Sequence, residues 1–326
     1  MKKVFIYVGG FVVLLFLFWL SLEIGILQLH RSIFSLIGKH DVDATTVWQV
    51  RFPRALGAVI IGAGLGVAGS IAQGIFRNPL AEPTLIGLSS GATLGTIALI
   101  ASGTSVYGTR SNIASAVLAS GLTALLVQWL APGKGFGFLL TGIAVSAILT
   151  SCAGLLISMS PKPGIQSITF WNFGSLTLLN NVTVGMIAPY IEVGVIISFL
   201  VSRKLDIYSL GESSSHYMGV NPKRLRLYAI IGLAFLIGAS VSAVGSIAFI
   251  GLLVPHIVRL MIGPAHRKML SLSALVGAIV LLLADLLART LFKPNEIPLG
   301  LLTSLLGAPA LIILLRIRRA SWISHD

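Results

Sequence analysis

The chain has 326 residues, 56% hydrophobic and only 10% charged, with a net charge of +13 and one cysteine. A soluble domain carries about 25% charged residues, so this composition excludes a soluble globular protein and indicates a polytopic membrane protein. The basic excess does not point to nucleic acid, because Lys and Arg punctuate apolar spans as orientation signals do. Cys152 sits inside such a span and forms no internal disulfide.

In chain order, Lys2-Lys3 precedes an apolar run too long for a secretory h-region and followed by no small-x-small cleavage site. It reads as an uncleaved first helix with its amino terminus in the cytoplasm. Ten spans are predicted, at 4–28, 54–76, 84–102, 112–131, 137–159, 183–202, 226–246, 250–262, 270–291 and 299–316. The 250–262 span is too short to cross a bilayer core of about 30 Å by itself. On this topology the 23 Lys and Arg divide into 15 cytoplasmic and 8 external, as the positive-inside rule requires, and both termini are cytoplasmic.

The span that opens at Arg51 is lined with Gly, Ala and Ser, which lets other helices approach its backbone closely. After it, Asn78-Pro79-Leu80-Ala81-Glu82-Pro83 cannot continue a helix through its prolines. Polar irregular backbone near a membrane is tolerated only where protein or water covers it, which makes this turn a candidate gate. At an offset of 176 residues, Gly62-Ala63, Gly69-Ser70-Ile71-Ala72, Pro79 and Ile86-Gly87 return as Gly238-Ala239, Gly245-Ser246-Ile247-Ala248, Pro255 and Ile262-Gly263. Five crossings separate the copies, so the reading is an inverted repeat, a transporter signature. The fold expected is all-α: one permease domain over 1–326, about ten transmembrane helices, a first repeat at about 51–159 and a second at about 226–316.

Two polar segments interrupt the spans. Pro161 to Asn181 carries Phe170, Trp171 and Phe173 and suits either an interfacial aromatic belt or an external mouth. Residues 203–226 form the longest polar segment, large enough for one or two short cytoplasmic helices that a partner grips or that are merely solvated. Glu192, Asp285 and Arg289 are ionisable residues inside spans, hence functional candidates. Asp285 and Arg289 stand one helical turn apart, in an order that stabilises a helix by roughly 0.2–0.5 kcal/mol.

No phosphate-cradling Gly-x-x-x-x-Gly-Lys-Ser/Thr occurs, so any ATP hydrolysis is supplied by another chain. The six histidines, at 30, 40, 216, 256, 266 and 325, place no pair on one helical face, and a catalytic metal site needs about three protein ligands. Neither an enzyme nor a metal site is expected.

Arg51-Phe52-Pro53-Arg54, Gln73, Asn78 to Pro83, Ile86-Gly87, Phe249-Ile250-Gly251-Leu252 with Pro255-His256 and Arg259, Ala284-Asp285 with Arg289, Glu296-Ile297-Pro298-Leu299-Gly300 and Gly307-Ala308-Pro309 resemble the FecCD family. These are permease subunits of type II ABC importers for iron siderophores, haem and cobalamin. The resemblance, from about Arg51 to Leu315, implies a homodimer of ten-helix permeases in the bacterial inner membrane. It also implies two separate cytoplasmic ATPases that bind ATP and Mg, an extracytoplasmic binding protein, and no cofactor on this chain. Carried over by position, Arg51, Arg54 and Arg289 dock the binding protein as exposed external charges. Asn78, Pro79 and Leu80 form a cytoplasmic gate, and Leu210, Gly211, Glu212 and Gly219 seat on the ATPase. Phe170-Trp171-Asn172-Phe173-Gly174-Ser175-Leu176 resembles haem and siderophore permeases more than the cobalamin one, so iron chelates are the expected cargo. Cobalamin import and, more remotely, ion-coupled secondary transport are the alternatives.

Overall fold

A computed structural model describes residues 2–25, 41–104, 108–131, 136–159 and 171–323, all helices and connecting turns. The helices are α1 (Lys2–Glu23), α2 (Val42–Ile75), α3 (Leu88–Ala101), α4 (Arg110–Leu130), α5 (Phe136–Met159) and α6 (Asn181–Tyr208). They continue with the short α7 (Glu212–Tyr217), then α8 (Pro222–Val244), α9 (Ile250–Ile262), α10 (His266–Thr290) and α11 (Leu299–Ile323). Each predicted span therefore has its helix, and the 203–226 segment contributes one short one. Seven helices are long and apolar enough to cross a membrane, while α3, α9 and the described apolar part of α11 are shorter.

Two boundaries differ from expectation. The second helix starts at Val42 instead of 54, because Asp41 accepts a capping bond from the Ala44 N–H at 2.9 Å and a π-helical turn over Thr46–Arg51 carries the helix into α2 proper. The polar residues Asp43, Thr45, Thr46 and Gln49, interspersed with apolar ones, conceal this turn from a hydropathy reading. The sixth helix runs on to Tyr208 instead of stopping near 202, so Asp206 reaches the start of α10 and accepts from the His266 N–H at 2.8 Å.

The centre is α2, packed against α10 and α9 at backbone distance. A Cβ placed on Gly62 would lie 2.4 Å from the Gly277 carbonyl oxygen, one on Gly66 2.1 Å from that of Ser273, and one on Gly69 1.7 Å from that of Gly251. Lipid supplies no hydrophobic drive between helices, so association depends on such close packing and on interhelical hydrogen bonds. Ser70 donates to Ser273 at 2.9 Å, and Gln73 Nε2 to the Leu252 carbonyl at 3.1 Å. The contacts run in opposite order along α2 and α10, so the two helices are antiparallel. Arg54 and Ile75 mark opposite ends of the bundle, about 30 Å apart along α2.

Helix lengths follow the proposed repeat: long, short, long, long in α2 to α5 and again in α8 to α11. The amino end of α2 and the carboxyl end of α8 lie at the same end of the bundle, so these helices run in opposite directions. The backbone is not repeated residue for residue. Gly69 to Ala72 is helical, whereas Gly245, at φ 73°, ends α8 and opens a non-helical stretch. Short helices α3 and α9, of 14 and 13 residues, are each about 20 Å long. Each follows irregular chain, Asn78 to Gly87 before α3 and Gly245 to Phe249 before α9, and helix and chain together complete the crossing.

Trp171 is fully buried against Ile97 and Ala153, so it is core and not part of an aromatic belt, while Phe173 is exposed and Phe170 lies outside the described residues. Its neighbours tie α8 to α11: the Ser175 N–H donates to Val244 O at 2.8 Å and the Leu299 N–H to Gly174 O at 2.7 Å.

Gly69→Val should separate α2 from α9, at a cost of at least the 1–3 kcal/mol typical of overpacking. A lower thermal midpoint in detergent and reduced folded yield are the expected results, with Ala68→Gly as the volume-reducing control.

Candidate functional site

At the Arg54 end, the three arginines are 3% (Arg51), 7% (Arg54) and 2% (Arg289) exposed. Arg54 Nε donates to Asp285 Oδ1 at 2.8 Å and its Nη1 to Glu296 Oε1 at 2.9 Å. Arg51 Nη1 donates to the carbonyls of Leu22 and Glu23 at 2.8 and 2.6 Å, closing the carboxyl end of α1. Arg289 Nη2 donates to the Ser21 carbonyl at 2.9 Å and to the Ser21 hydroxyl, and its Nε lies 3.4 Å from Asp285 Oδ2. The expectation of exposed external charges is corrected: these guanidiniums hold α1, α2, α10 and the 291–298 loop together. The short-range pair Asp285–Arg289 was legible from the sequence; the Arg54 bonds, across more than two hundred residues, were not.

Glu296 completes this network by accepting from the Thr177 hydroxyl at 2.8 Å. Burial by itself would raise its carboxyl, but the Arg54 hydrogen bond and charge, with the Thr177 hydroxyl, outweigh burial and hold it below the usual carboxylate range.

At the other end, the irregular chain between α2 and α3 enters the bundle. Asn78 shapes the turn: its Oδ1 accepts from the Leu80 N–H at 2.9 Å and its carbonyl from the Ala81 N–H at 3.0 Å. Pro79 and Leu80 are half-buried. Beyond them, Glu82 is buried and accepts from the Phe249 N–H at 2.5 Å. Phe249 is the residue before α9 and has φ 68°, unusual for a bulky side chain. The Glu82 carboxylate thus joins the two irregular stretches and occupies the positive end of a broken membrane helix, the kind of position where transporters form their paths. Gln73 braces the joint, accepting from Arg259 Nη2 at 3.2 Å while bonded to Leu252. The sequence signal for Glu82 was a carboxylate between two prolines beside an apolar span.

The same end carries α7. Gly211 and Gly219, at φ 117° and 78°, flank it and turn the chain out and back. Leu210 and Tyr217, 64% and 91% exposed, project with Met218 from this hairpin. Glu212 pairs with Arg226 across the hairpin base. Glu192 is exposed on α6, beside exposed Val193 and Ile196. Among the described residues no group of three His, Cys, Asp or Glu is placed to hold a metal.

Three tests follow from this geometry. Arg54→Ala should cost about 3 kcal/mol, the lower end of what breaking a buried pair costs, because it leaves buried Asp285 with only the 3.4 Å contact to Arg289 and removes the cation from half-buried Glu296; a detergent unfolding curve measures it, and an unchanged midpoint would mean the network is slack. Because the folded Glu296 carboxyl lies below its unfolded value, its stabilisation is present above the ordinary carboxylate range and disappears as pH falls through the depressed value. Glu296→Gln should therefore lower the thermal midpoint at neutral pH, and the difference from wild type should shrink on acidification. Glu82→Gln keeps an acceptor for the Phe249 N–H and should fold and transport, whereas Glu82→Ala orphans that donor and should lose about 1–3 kcal/mol.

Comparison with known proteins agrees with this architecture. Residues 11–317 match the FecCD transport family. The hemin transport system permease HmuU of Yersinia pestis is 40% identical over 270 residues, 81% of each chain. The Fe(3+)-citrate import system permease YfmE of Bacillus subtilis is 37% identical over 313 residues, 94% of this chain and 92% of the relative. A solved structure of a metal-chelate type ABC transporter in an inward-facing conformation superposes with a TM-score of 0.84 at 31% identity, covering 97% of this chain and 99% of its own. With matched family residues running almost end to end and the crossings interrupted at α3 and α9, the chain belongs to the FecCD transport family and has the fold of an ABC transporter permease.

Proposed function

We propose that this chain is the permease of an ATP-driven importer that carries iron chelates, haem or a ferric siderophore, across the bacterial inner membrane. The observation that carries this reading is the near-complete match to a family whose relatives include hemin and ferric-citrate permeases. Both termini lie in the cytoplasm on this reading, with the α7 end inside and the Arg54 end outside.

Four surface features support three kinds of partner. Helix α5 exposes Ala144, Ala147, Ser151, Gly154 and Ser158 at heptad-like spacing, a stripe that suits close helix contact with a second copy. An exposed Glu192 on an apolar face is expensive against lipid, which favours a water-filled path or the second copy beside α6. Leu210, Tyr217 and Met218 form an apolar patch on a cytoplasmic hairpin, suited to one of two ATPase subunits that hydrolyse ATP with Mg. At the outer end, Arg51, Arg54 and Arg289 act through shape: they fix the 291–298 loop, which presents exposed Phe292 and Lys293 to a binding protein.

Copurification with the ATPase and binding protein, followed by titration of the binding protein with haem, ferric siderophores and cobalamin, tests the assembly and the cargo. Retention of cobalamin alone would move the substrate assignment within the family. Uptake that persists with an inactive ATPase and stops when the ion gradient collapses would overturn the ATP-driven reading. For the gate, Leu80→Ala should make idle proteoliposomes leak substrate, because Leu80 closes the path by excluding water; unchanged passive leak would remove Leu80 from the gate.

A further inference from the structure

A second cluster stands between the gate turn and α7. Arg77, the residue immediately before Asn78, adopts φ 48°, a left-handed conformation uncommon for residues other than Gly, Asn and Asp. Its guanidinium lies 5.2 Å from the ring centre of Tyr208, the last residue of α6. The Arg226 guanidinium, from the first turns of α8, lies 5.9 Å from the same ring. Arg226 Nη2 also donates to the Tyr208 hydroxyl at 2.8 Å, and that hydroxyl donates to Glu212 Oε1 at 3.0 Å. Glu212 begins α7 and is paired with Arg226. One buried side chain, Tyr208, therefore touches the residue that opens the gate turn, the start of α7 and the start of α8.

Beside it lies a cavity of about 120 Å³, bordered by Phe76, Arg77, Asn78, Tyr208 and Arg226. Protein interiors are close-packed, so a ring this large can swing only where space adjoins it. Arg77 is exposed, and its backbone conformation is the kind that persists only while neighbours hold it. The backbone is held by the bonds that end α2, from the Arg77 N–H to the Gly74 carbonyl at 3.3 Å and from the Asn78 N–H to the Gln73 carbonyl at 3.2 Å, and the side chain rests against the Tyr208 ring.

We propose that Tyr208 is a positioning residue that transmits movement of α7 to the gate turn. Displacement of Glu212 draws the Tyr208 hydroxyl and Arg226 with it and withdraws the ring from Arg77. The Arg77 side chain then no longer anchors the end of α2 to α6, and Asn78 to Leu80 reorient toward the cavity. This rests on the reading of α7 as the ATPase contact.

The test uses the intact complex of permease, ATPase and binding protein in proteoliposomes, with haem or ferric citrate as the probe, whichever the binding protein retains. The readout is substrate imported per ATP hydrolysed. Tyr208→Leu and Arg77→Ala should each lower this ratio about fivefold or more, the lower range of a coupling between sites, while the ATPase remains bound and active. Tyr208→Phe keeps the stacking and loses only the hydroxyl bonds, so it should fall between; Arg77→Lys keeps the cation and should recover most of the ratio. If Tyr208→Leu fails to assemble, Arg77→Ala decides, since it removes only an exposed side chain. A wild-type ratio in Arg77→Ala, or Arg77→Lys as impaired as Arg77→Ala, overturns the proposal and leaves the importer reading intact. Wild-type uptake indifferent to ATPase inactivation removes both.

Discussion

Backbone contact between α2 and its neighbours α10 and α9 is the constraint on which the rest of the structure depends. Gly62 faces Gly277, Gly66 faces Ser273 and Gly69 faces Gly251 at separations that exclude even a methyl group. In lipid, apolar side chains gain little by leaving one apolar surface for another, so this proximity and the hydrogen bonds it permits hold the helices. Ser70 with Ser273 and Gln73 with Leu252 are such bonds. The register set by the glycines aims Arg54 at Asp285 at one end and Gln73 at α9 toward the other.

The buried charges at the Arg54 end follow from that register. Asp285 receives Arg54 from α2 and lies beside Arg289 on its own helix, while Glu296 takes the second Arg54 donor. A cluster of this kind contributes specificity of arrangement more than net stability, because desolvation offsets much of the Coulombic attraction. Its structural effect is to close the end of α1 with Arg51 and Arg289 and to fix the loop ahead of α11.

Between the two ends, the chain is built to be interrupted. Two short helices begin inside the bundle, and each is preceded by irregular backbone whose polar groups must be satisfied by protein. Glu82 meets that requirement for α9, and Asn78 organises the turn ahead of α3. Positive φ at the non-glycine residues Arg77 and Phe249 marks both breaks. Backbone bonds from Arg77 and Asn78 to Gly74 and Gln73 close the first break, and α7, with Glu212, Tyr208 and Arg226, lies directly beside it.

Hydropathy alone determined the number and order of the apolar helices, because a segment that crosses lipid must satisfy its own backbone hydrogen bonds and show apolar side chains. Glycine and proline placement marked the close-packed helix and the irregular turn from Asn78 to Pro83. Tertiary structure decided what each polar residue does. Arg51, Arg54 and Arg289 looked like surface charges because their partners lie 29, 231 and 268 residues away, and no local pattern encodes a contact at such separation. Trp171 suits an interfacial belt or an external mouth by sequence and is core; Glu82 is one letter of a motif by sequence and is the joint between two broken crossings. Local sequence specifies which segments are helical, but only their packing specifies which side chains water, lipid or a partner can reach.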